Sequence, residues 1–285
     1  MTEKTFKSFI FFCSPAGTTR HTAEVIINAL QTKQVETVIC EIGKDEPQLS
    51  SILKNLATIR EQVVVFIGSP VYSSHALPPI MALIERLPKK AEVYAVPFAT
   101  WGGATSGLAL EEMGTALTAR GYGVIAAAKV LAVHSLMWRL ENPVAAGHPD
   151  AGDDVLICNL VDAVEKNMKR RQPELLAATQ LEYQPREVAE DMRKLNLELA
   201  KTILPPRTVD REVCSQCGEC AANCPVAALT LTPWPEFAET CICCFNCVRL
   251  CPENAIAAYL TPIYDRIHER AGAAREGEPT QIYLP

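Results

Sequence analysis

The chain has 285 residues, 48% of them hydrophobic, and a formal net charge of −6. This length is sufficient for two globular domains, and the acidic balance argues against a nucleic-acid partner, which requires clustered Lys and Arg. No apolar stretch approaches the roughly 20 residues of a membrane span, and the apolar run near the N-terminus is too short for a signal peptide, so we expect a cytoplasmic protein.

Apolar runs alternate with longer amphipathic stretches up to about residue 170, which is typical of a parallel sheet covered by helices. The predicted strands are Ser8–Cys13, Glu36–Ile42, Gln62–Gly68, Glu92–Thr100 and Gly123–Val130. The predicted helices are Thr18–Gln31, Gln48–Ile59, Leu77–Leu87, Ser106–Arg120 and Asp153–Arg170. This alternation predicts a flavodoxin-like, doubly wound α/β domain with a five-stranded parallel sheet in the order 2-1-3-4-5. Its ligand site is expected beyond the carboxyl ends of strands 1 and 3.

The loop after the first predicted strand, SPAGTTRHTAEVI, leads at once into a helix. Ser14, Thr18 and Thr19 offer hydroxyls there, and Gly17 permits close backbone approach, so the loop suits a phosphate at a helix N-terminus. Neither G-x4-G-K-[ST] nor G-x-G-x-x-G is present, which leaves a single phosphate monoester, as in FMN. A helix that is merely N-capped would use the same residue types.

The loops after the third and fourth predicted strands, GSPVYSSHALPP and TWGGATSG, combine aromatic residues with proline and glycine. Tyr72 and Trp101 are placed to flank a flavin ring, while the glycines let the backbone approach the ring edge. Each aromatic residue could instead cap the sheet. Three such loops at neighbouring positions of the switch point favour a ligand site.

The segments from residue 132 to about residue 206, and those after Leu260, are less informative about function. Residues 132–154 could form a loop over a flavin or a connector towards the C-terminal part. Apolar residues recur at helical spacing over Glu187–Ile203, which predicts one amphipathic helix packed against the first domain or a second subunit. After Leu260 we expect a short helix and a surface tail.

Two cysteine runs of the form C-x2-C-x2-C-x3-C-P organise the C-terminal part. They are Cys214, Cys217, Cys220 and Cys224, then Cys241, Cys244, Cys247 and Cys251. This pattern indicates paired [4Fe–4S] clusters in which the fourth cysteine of each run binds the other cluster. We therefore predict one cluster on Cys214, Cys217, Cys220 and Cys251, and a second on Cys241, Cys244, Cys247 and Cys224.

Zinc sites and disulfides are the alternatives for these cysteines. Zinc is usually bound by separated C-x2-C pairs, often with histidine, and no histidine lies between Cys214 and Cys251. Cys243 fits neither run and is expected to be a bystander. Cys13, Cys40 and Cys158 are expected to be small buried residues, and without a disulfide framework the compartment is reducing.

The chain resembles known families over most of its length. Residues 209–260 resemble the bacterial two-cluster ferredoxins, including the helix starts CPVAAL and CPENAI. The region from Lys7 to about Val133 resembles the flavodoxins through S-P-A-G-T-T, G-S-P-V-Y and T-W-G-G. The whole chain resembles the flavodoxin–ferredoxin fusion proteins of anaerobic bacteria and archaea, the EFR-type ferredoxins. One departure is Ala16, which replaces a usual threonine and should weaken FMN binding by about 1 kcal/mol.

This resemblance implies the cofactor residues and the domain limits. The phosphate loop would be Ser14, Pro15, Ala16, Gly17, Thr18 and Thr19. The ring contacts would be Pro70, Val71, Tyr72 and Ser73, followed by a third loop of Thr100, Trp101, Gly102 and Gly103. The implied parts are an FMN-binding domain over residues 1–171, a helical connector over 172–206, a small α+β ferredoxin-like domain over 207–261 and a C-terminal extension over 262–285.

A flavin beside two clusters can split a two-electron event into single-electron steps. We therefore expect an electron-transfer iron–sulfur flavoprotein that passes low-potential electrons between two [4Fe–4S] clusters and FMN, and on to redox partner proteins. The alternative is an FMN-dependent reductase of a small molecule such as a quinone, fed through the clusters. His75 and His134 are the nearest histidines to the predicted flavin, but no acid–base pair stands out and no catalytic residue is assigned. A homodimer is left open, because one chain need not place its FMN near its own clusters.

Overall fold

The computed structural model of the chain describes residues 6–90, 92–274 and 276–285, so the first five residues of the predicted first domain lie outside it. The strands of the first part are β1 (Lys7–Phe12), β2 (Thr37–Glu41), β3 (Val63–Tyr72), β4 (His75–Ala76), β5 (Val93–Trp101), β6 (Gly123–Val124) and β7 (Ala127–Leu131). Its helices are α1 (Thr18–Thr32), α2 (Glu46–Thr58), α3 (Pro78–Arg86), α4 (Ala109–Ala119) and α5 (Ala151–Met168).

The central sheet has the order β2-β1-β3-β5-β7, and these five strands are parallel. The strands are nearly continuous runs of buried apolar residues because helices cover both faces. Leu49, Leu83 and Met113 of α2, α3 and α4 pack on one face, whereas Ile26 and Leu160 of α1 and α5 pack on the other. The predicted flavodoxin-like sheet is confirmed, except that the fifth predicted strand is divided into β6 and β7.

The remaining elements form a connector, a small α+β unit and a C-terminal segment. They are α6 (Arg186–Lys194), α7 (Leu197–Ile203), β8 (Thr208–Val209), α8 (Glu219–Ala222), β9 (Leu229–Leu231), β10 (Pro235–Phe237), α9 (Asn246–Arg249), β11 (Ile256–Ala257), α10 (Thr261–Ala273) and β12 (Gln281–Tyr283). β8 pairs antiparallel with β11, and β9 pairs antiparallel with β10. Because β8 precedes the first cysteine run and β11 follows the second, their pairing closes the unit.

The predicted connector helix is wrong in one respect, because the segment contains two helices. The chain breaks before α7, where the Asn196 side chain accepts a hydrogen bond from the backbone N–H of Leu199 at 2.8 Å. Asparagine is a favoured N-cap and therefore starts a new helix here. Met192 is buried against Leu108 of the first part, whereas Val188 is 43% exposed. Of the two predicted alternatives for this connector, the first domain or a second subunit, the structure shows packing against the first domain.

The C-terminal residues return to the sheet of the first part, so the expected surface tail is wrong. β12 pairs antiparallel with β7, and Tyr283 is buried. The buried ammonium of Lys129 donates to the backbone oxygen of Glu276 at 2.6 Å. The indole N–H of Trp101 donates to the backbone oxygen of Pro279 at 2.9 Å. These contacts satisfy polar groups that would otherwise be buried without partners.

Two other expectations have mixed outcomes. Cys13 and Cys40 are buried as predicted, but Cys158 is exposed, because it lies on the outer side of α5. None of the helices in the described parts of the chain combines the length and apolar character that crossing a bilayer requires.

His75 attaches the connector to the first part through both ring nitrogens. Its Nδ1 lies 2.5 Å from a carboxylate oxygen of Glu112, and its Nε2 lies 2.7 Å from the carbonyl oxygen of Leu195 and 3.0 Å from that of Met192. A carbonyl only accepts hydrogen bonds, so Nε2 carries a proton, and the carboxylate favours a second proton on Nδ1. The hydrogen bond to Glu112 raises the pKa of His75 above its ordinary value, against the opposing effect of burial.

We expect this attachment to weaken as the pH rises. Because the folded-state pKa is raised, its stabilisation is complete below the ordinary value of about 6.5 and is lost as the pH passes through the raised pKa. The hydrogen bonds of the charged ring should contribute roughly 1.5–3 kcal/mol. Trypsin cleavage within residues 186–203, corrected for the pH dependence of trypsin with an unstructured peptide, should therefore accelerate as the pH is raised from about 6.5.

The matched control for this prediction is His75→Gln, which keeps hydrogen-bonding groups but cannot carry a charge. Its corrected cleavage rate should be high and independent of pH. A wild-type rate that does not change as the pH is raised would contradict the prediction.

Candidate cofactor-binding sites

A cavity of about 350 Å³ opens at the carboxyl ends of β1, β3 and β5. Of the residues that the sequence predicts for a flavin, those lining it are Ala16, Thr18, Pro70, Val71, Tyr72, Ser73, Thr100 and Gly102. They come from three separate loops that meet where the order of the strands reverses, which is the usual ligand position in such sheets.

The remaining residues of the predicted phosphate loop lie beside this cavity. Ser14, Pro15 and Gly17 line an adjacent cleft. The Ser14 hydroxyl accepts a hydrogen bond from the backbone N–H of Arg20 at 2.9 Å, so it caps the first turn of α1. Gly17, at φ +93°, adopts a left-handed conformation that few other residues tolerate and directs the chain into the helix.

Three predicted residues line neither cavity. The hydroxyl of Thr19 lies 2.6 Å from that of Thr100 and ties the first loop to β5. Trp101 is buried, and its indole is engaged with the C-terminal segment through Pro279. Gly103 packs against Val144, where an added Cβ would lie 2.6 Å from a side-chain carbon.

The side chains of His134 and Tyr72 line the cavity and have hydrogen-bonding capacity left over. Nδ1 of His134 accepts from the backbone N–H of Leu136 at 3.3 Å, so the proton is on Nε2. Burial lowers the pKa of His134 to about 4, helped by nearby His268, and the ring is therefore neutral at neutral pH. The Tyr72 hydroxyl is buried close to Ser135 but makes no hydrogen bond of normal geometry. Both groups suit a polar ligand atom.

The opposite wall of the cavity comes from distant parts of the chain. It is mainly apolar, although α10 also contributes the charged residues Arg266, Glu269 and Arg270. It includes Leu197, Leu199, Ala200, Ile203, Ile242, Ile263 and Ile267. These residues belong to α7, the second cysteine loop and α10. Sequence reasoning did not find this wall, since no local pattern indicates which distant segments meet.

The structure sorts the eight cysteines of the two runs into two groups. Cys214, Cys217, Cys220 and Cys251 line one small cavity. In the other group, burial raises the pKa of Cys244 to about 12, and the neighbouring thiols of Cys247, Cys241 and Cys224 add to the increase. Each group thus joins three cysteines of one run to the fourth cysteine of the other.

The spacing of the sulfur atoms differs from that of a zinc site. A tetrahedral zinc ion with Zn–S bonds of about 2.3 Å holds its sulfurs roughly 3.8 Å apart. Among the described residues, the only group of three or more ligand atoms within 4.8 Å of one another is His148, Asp150 and Asp153. No three cysteine sulfurs in the described part of the chain therefore lie so close together.

The group of Cys224, Cys241, Cys244 and Cys247, hereafter the inner group, lies against the first part of the chain. Ile242 belongs to the hydrophobic core beside the sheet. Gly43 has φ +89°, and a Cβ there would lie only 2.3 Å from the backbone oxygen of Pro225. The group of Cys214, Cys217, Cys220 and Cys251, hereafter the outer group, includes the exposed Cys217.

Arg249 connects α9 to the first loop of the sheet. Its guanidinium donates hydrogen bonds to the backbone oxygens of Pro15 and Ala16, the second at 3.4 Å, and to the Asn246 side chain. The loop that the sequence predicts to hold a phosphate is therefore positioned by a residue of the cysteine-bearing unit. The sequence contains no signal for this contact.

A protein-family model for the 4Fe-4S binding domain matches residues 207–230, which contain the first cysteine run. This part of the chain is a 4Fe-4S binding domain. The chain thus joins such a domain to a flavodoxin-like sheet, which is the combination that the sequence predicts. The second cysteine run lies outside the matched residues.

Other comparisons are weaker. No protein of curated function matches the sequence. The rubredoxin:oxygen oxidoreductase of the anaerobe Desulfovibrio gigas is 17% identical with a TM-score of 0.46, covering 59% of this chain but only 37% of that one. A flavodoxin from the domain Archaea is 18% identical with a TM-score of 0.42, covering 58% of this chain and all of that one (100%). Oxidised flavodoxin 2 from Bacillus cereus is 18% identical with a TM-score of 0.42, covering 56% and 98%. Similarities this low say nothing about function.

Proposed function

We propose that this chain is an electron-transfer iron–sulfur flavoprotein with FMN in the cavity and one [4Fe–4S] cluster on each cysteine group. The observation that carries the proposal is the exchange of the fourth cysteine between the runs, with the inner group placed against the cavity: Ile242 and Cys243 of its loop both line the cavity wall. A chain of three redox centres needs such closeness to pass electrons on to redox partner proteins.

The residues around the cavity fit FMN. The N-terminus of α1 with Thr18 would hold the phosphate, and residues 70–73 with Gly102 would lie along the ring. The proton on Nε2 of His134 and the unpaired hydroxyl of Tyr72 would serve polar ring atoms. When bound, FMN supplies one- and two-electron chemistry, while these side chains bind and orient it.

The proposed domains follow the sequence limits. Residues 1–171 would bind FMN, 172–206 connect, 207–261 hold the clusters, and 262–285 form an extension. The extension supports the FMN-binding domain, since β12 completes its sheet.

The cluster assignment predicts which cysteines act together. Anaerobically purified protein should contain about eight irons and one FMN per chain. Cys251→Ala and Cys217→Ala should each remove the same cluster, leaving identical residual EPR spectra, while Cys224→Ala should match Cys244→Ala. Cys243→Ala is the control and should keep both clusters. If the Cys251→Ala spectrum matches that of Cys244→Ala instead, the exchange between the runs is refuted.

The contact between Arg249 and the proposed phosphate loop predicts that the affinity for FMN depends on the cysteine-bearing unit. Arg249→Gln removes a charged donor from the backbone of the phosphate loop, and a hydrogen bond of this kind contributes roughly 1.5 kcal/mol or more. The Kd for FMN, measured by fluorescence titration of flavin-stripped protein, should therefore rise about tenfold or more.

The control for Arg249 is Arg211→Gln, which removes the same charge from an exposed position of the same domain. It should leave the Kd for FMN unchanged. An unchanged Kd in Arg249→Gln with full iron content would show that the contact does not support flavin binding.

A second function is favoured by the apolar wall of the cavity, which suits a small apolar acceptor such as a quinone. This function predicts that protein with excess dithionite reduces menadione over many turnovers, above the rate of dithionite alone. Ala200→Phe, which fills part of the wall, should slow this turnover without changing iron or FMN content. If the protein reduces only as much menadione as the electrons stored in its clusters and FMN allow, this second function is refuted and electron transfer is the sole function.

A further inference from the structure

Arg207 lies directly against the inner group. Its Nη1 donates a hydrogen bond to the Sγ of Cys241 at 2.8 Å. The guanidinium also stacks on two aromatic rings, 4.4 Å from the centroid of Phe237 and 5.5 Å from that of Phe245. Its Nε is buried and has no hydrogen-bond partner. These contacts therefore fix the side chain of Arg207 in one position, with its Nη1 N–H directed at Cys241, a predicted cluster ligand.

The charge of Arg207 is not neutralised by a neighbouring acid. Among the ion pairs formed by described residues, none involves Arg207, whereas the surface residues Arg20 and Arg193 each pair with a glutamate. A cation between two aromatic rings is shielded from water, so its field reaches the nearby sulfur with less screening than that of an exposed charge.

Among the described residues, no lysine or arginine donates a hydrogen bond to a cysteine sulfur of the outer group; Arg139 instead donates to the side chain of Asn254 at 3.3 Å. The residues that line the cavity between Cys214, Cys217, Cys220 and Cys251 include the acidic Glu253 and no lysine or arginine. The two groups each consist of four cysteines, but the charged side chains beside them differ: Arg207 contacts the inner group and Glu253 lines the cavity of the outer group.

Burial and charge act against each other at the inner group. Adding an electron to a cluster increases its negative charge, which burial disfavours. The inner group has two buried cysteines, Cys241 and Cys247, and no exposed one, whereas the outer group has one buried cysteine, Cys220, and the exposed Cys217. Burial alone would make the inner cluster harder to reduce than the outer one, and electrons would then stay at the surface.

We propose that Arg207 sets the potential of the inner cluster, raising it above that of the outer cluster so that electrons run inward to the flavin. This inference rests on the proposed function, because it assumes both clusters and FMN. The step that Arg207 would favour is the transfer of one electron from a cluster held by the outer group to a cluster held by the inner group, with no bond made or broken and no proton transferred. A low-potential electron-carrier protein would supply that electron at the exposed outer group.

The test is an anaerobic redox titration of the complete protein, followed by EPR. In the wild type, the inner cluster should be reduced before the outer one, each being identified by comparison with Cys251→Ala and Cys224→Ala. In Arg207→Gln, the ratio of reduced to oxidised inner cluster at a fixed potential should fall at least tenfold, which is 59 mV for a one-electron couple. The outer cluster should change less than threefold.

Two variants complete the test. Arg211→Gln removes an exposed charge of the same domain and should shift neither cluster. Arg207→Lys keeps the charge without the stacked fork, so the inner cluster should still be reduced first. If Arg207→Gln binds only about four irons per chain, and so lacks one cluster, the order of reduction in Arg207→Lys tests the proposal instead.

The results that overturn the inference are specific. They are an outer cluster that is reduced first in the wild type or in Arg207→Lys, or an Arg207→Gln protein with full iron content and unchanged potentials. A wild-type protein that contains neither iron–sulfur clusters nor FMN would instead refute the proposed function itself.

Discussion

Ile242, between Cys241 and Cys244 of the inner group, inserts into the hydrophobic core beside the parallel sheet, and the relation between the two halves depends on this contact. Full burial of such a side chain stabilises a structure by about 1.5–3 kcal/mol, and Gly43 allows the backbone at Pro225 to approach where any Cβ would collide. The flavodoxin-like part and the cysteine-bearing part therefore meet through apolar packing at the carboxyl ends of β1 and β3, where the sheet offers its ligand site. An electron-transfer function needs this arrangement, because a flexible tether would let the centres drift apart.

The chain secures this contact from both sides of the cysteine-bearing unit. On the N-terminal side, α6 is attached through His75, whose two ring nitrogens meet a carboxylate and two backbone carbonyls. On the C-terminal side, the chain returns to the edge of the sheet as β12, where the buried Lys129 lies 3.6 Å from the carboxylate of Glu276. Burying these ions is costly, and it is tolerated because Ser106, Thr105 and Gln184 also hydrogen-bond that carboxylate.

How far the sequence predicts this structure depends on the range of each signal. The five strands and the helices between them follow from apolar periodicity, and the cysteine groups follow from spacing, because both patterns are local. The break at Asn196 was also local, since asparagine at a helix start is a recognisable cap, but the apolar spacing across it concealed the signal. β12, the apolar cavity wall and the position of Trp101 depend on segments more than a hundred residues apart. The prediction that Cys158 is buried is wrong, because apolar neighbours in the sequence do not show which side of a helix faces solvent.

Arg207 and Arg249 share a feature that bears on the chemistry of the site. Both belong to the cysteine-bearing unit, and both donate to acceptors other than carboxylates: a cysteine sulfur in one case, backbone carbonyls and an amide in the other. Among the described residues neither forms an ion pair, in contrast to Arg20, which pairs with Glu41 at 2.5 Å. The charge of a carboxylate partner largely cancels the electric field of a cation at a distance. An arginine without such a partner attracts a nearby anionic group more strongly. One such arginine contacts Cys241 of the inner group and the other contacts the loop proposed to hold the phosphate, so positive charge lies at both ends of the proposed path from cluster to flavin.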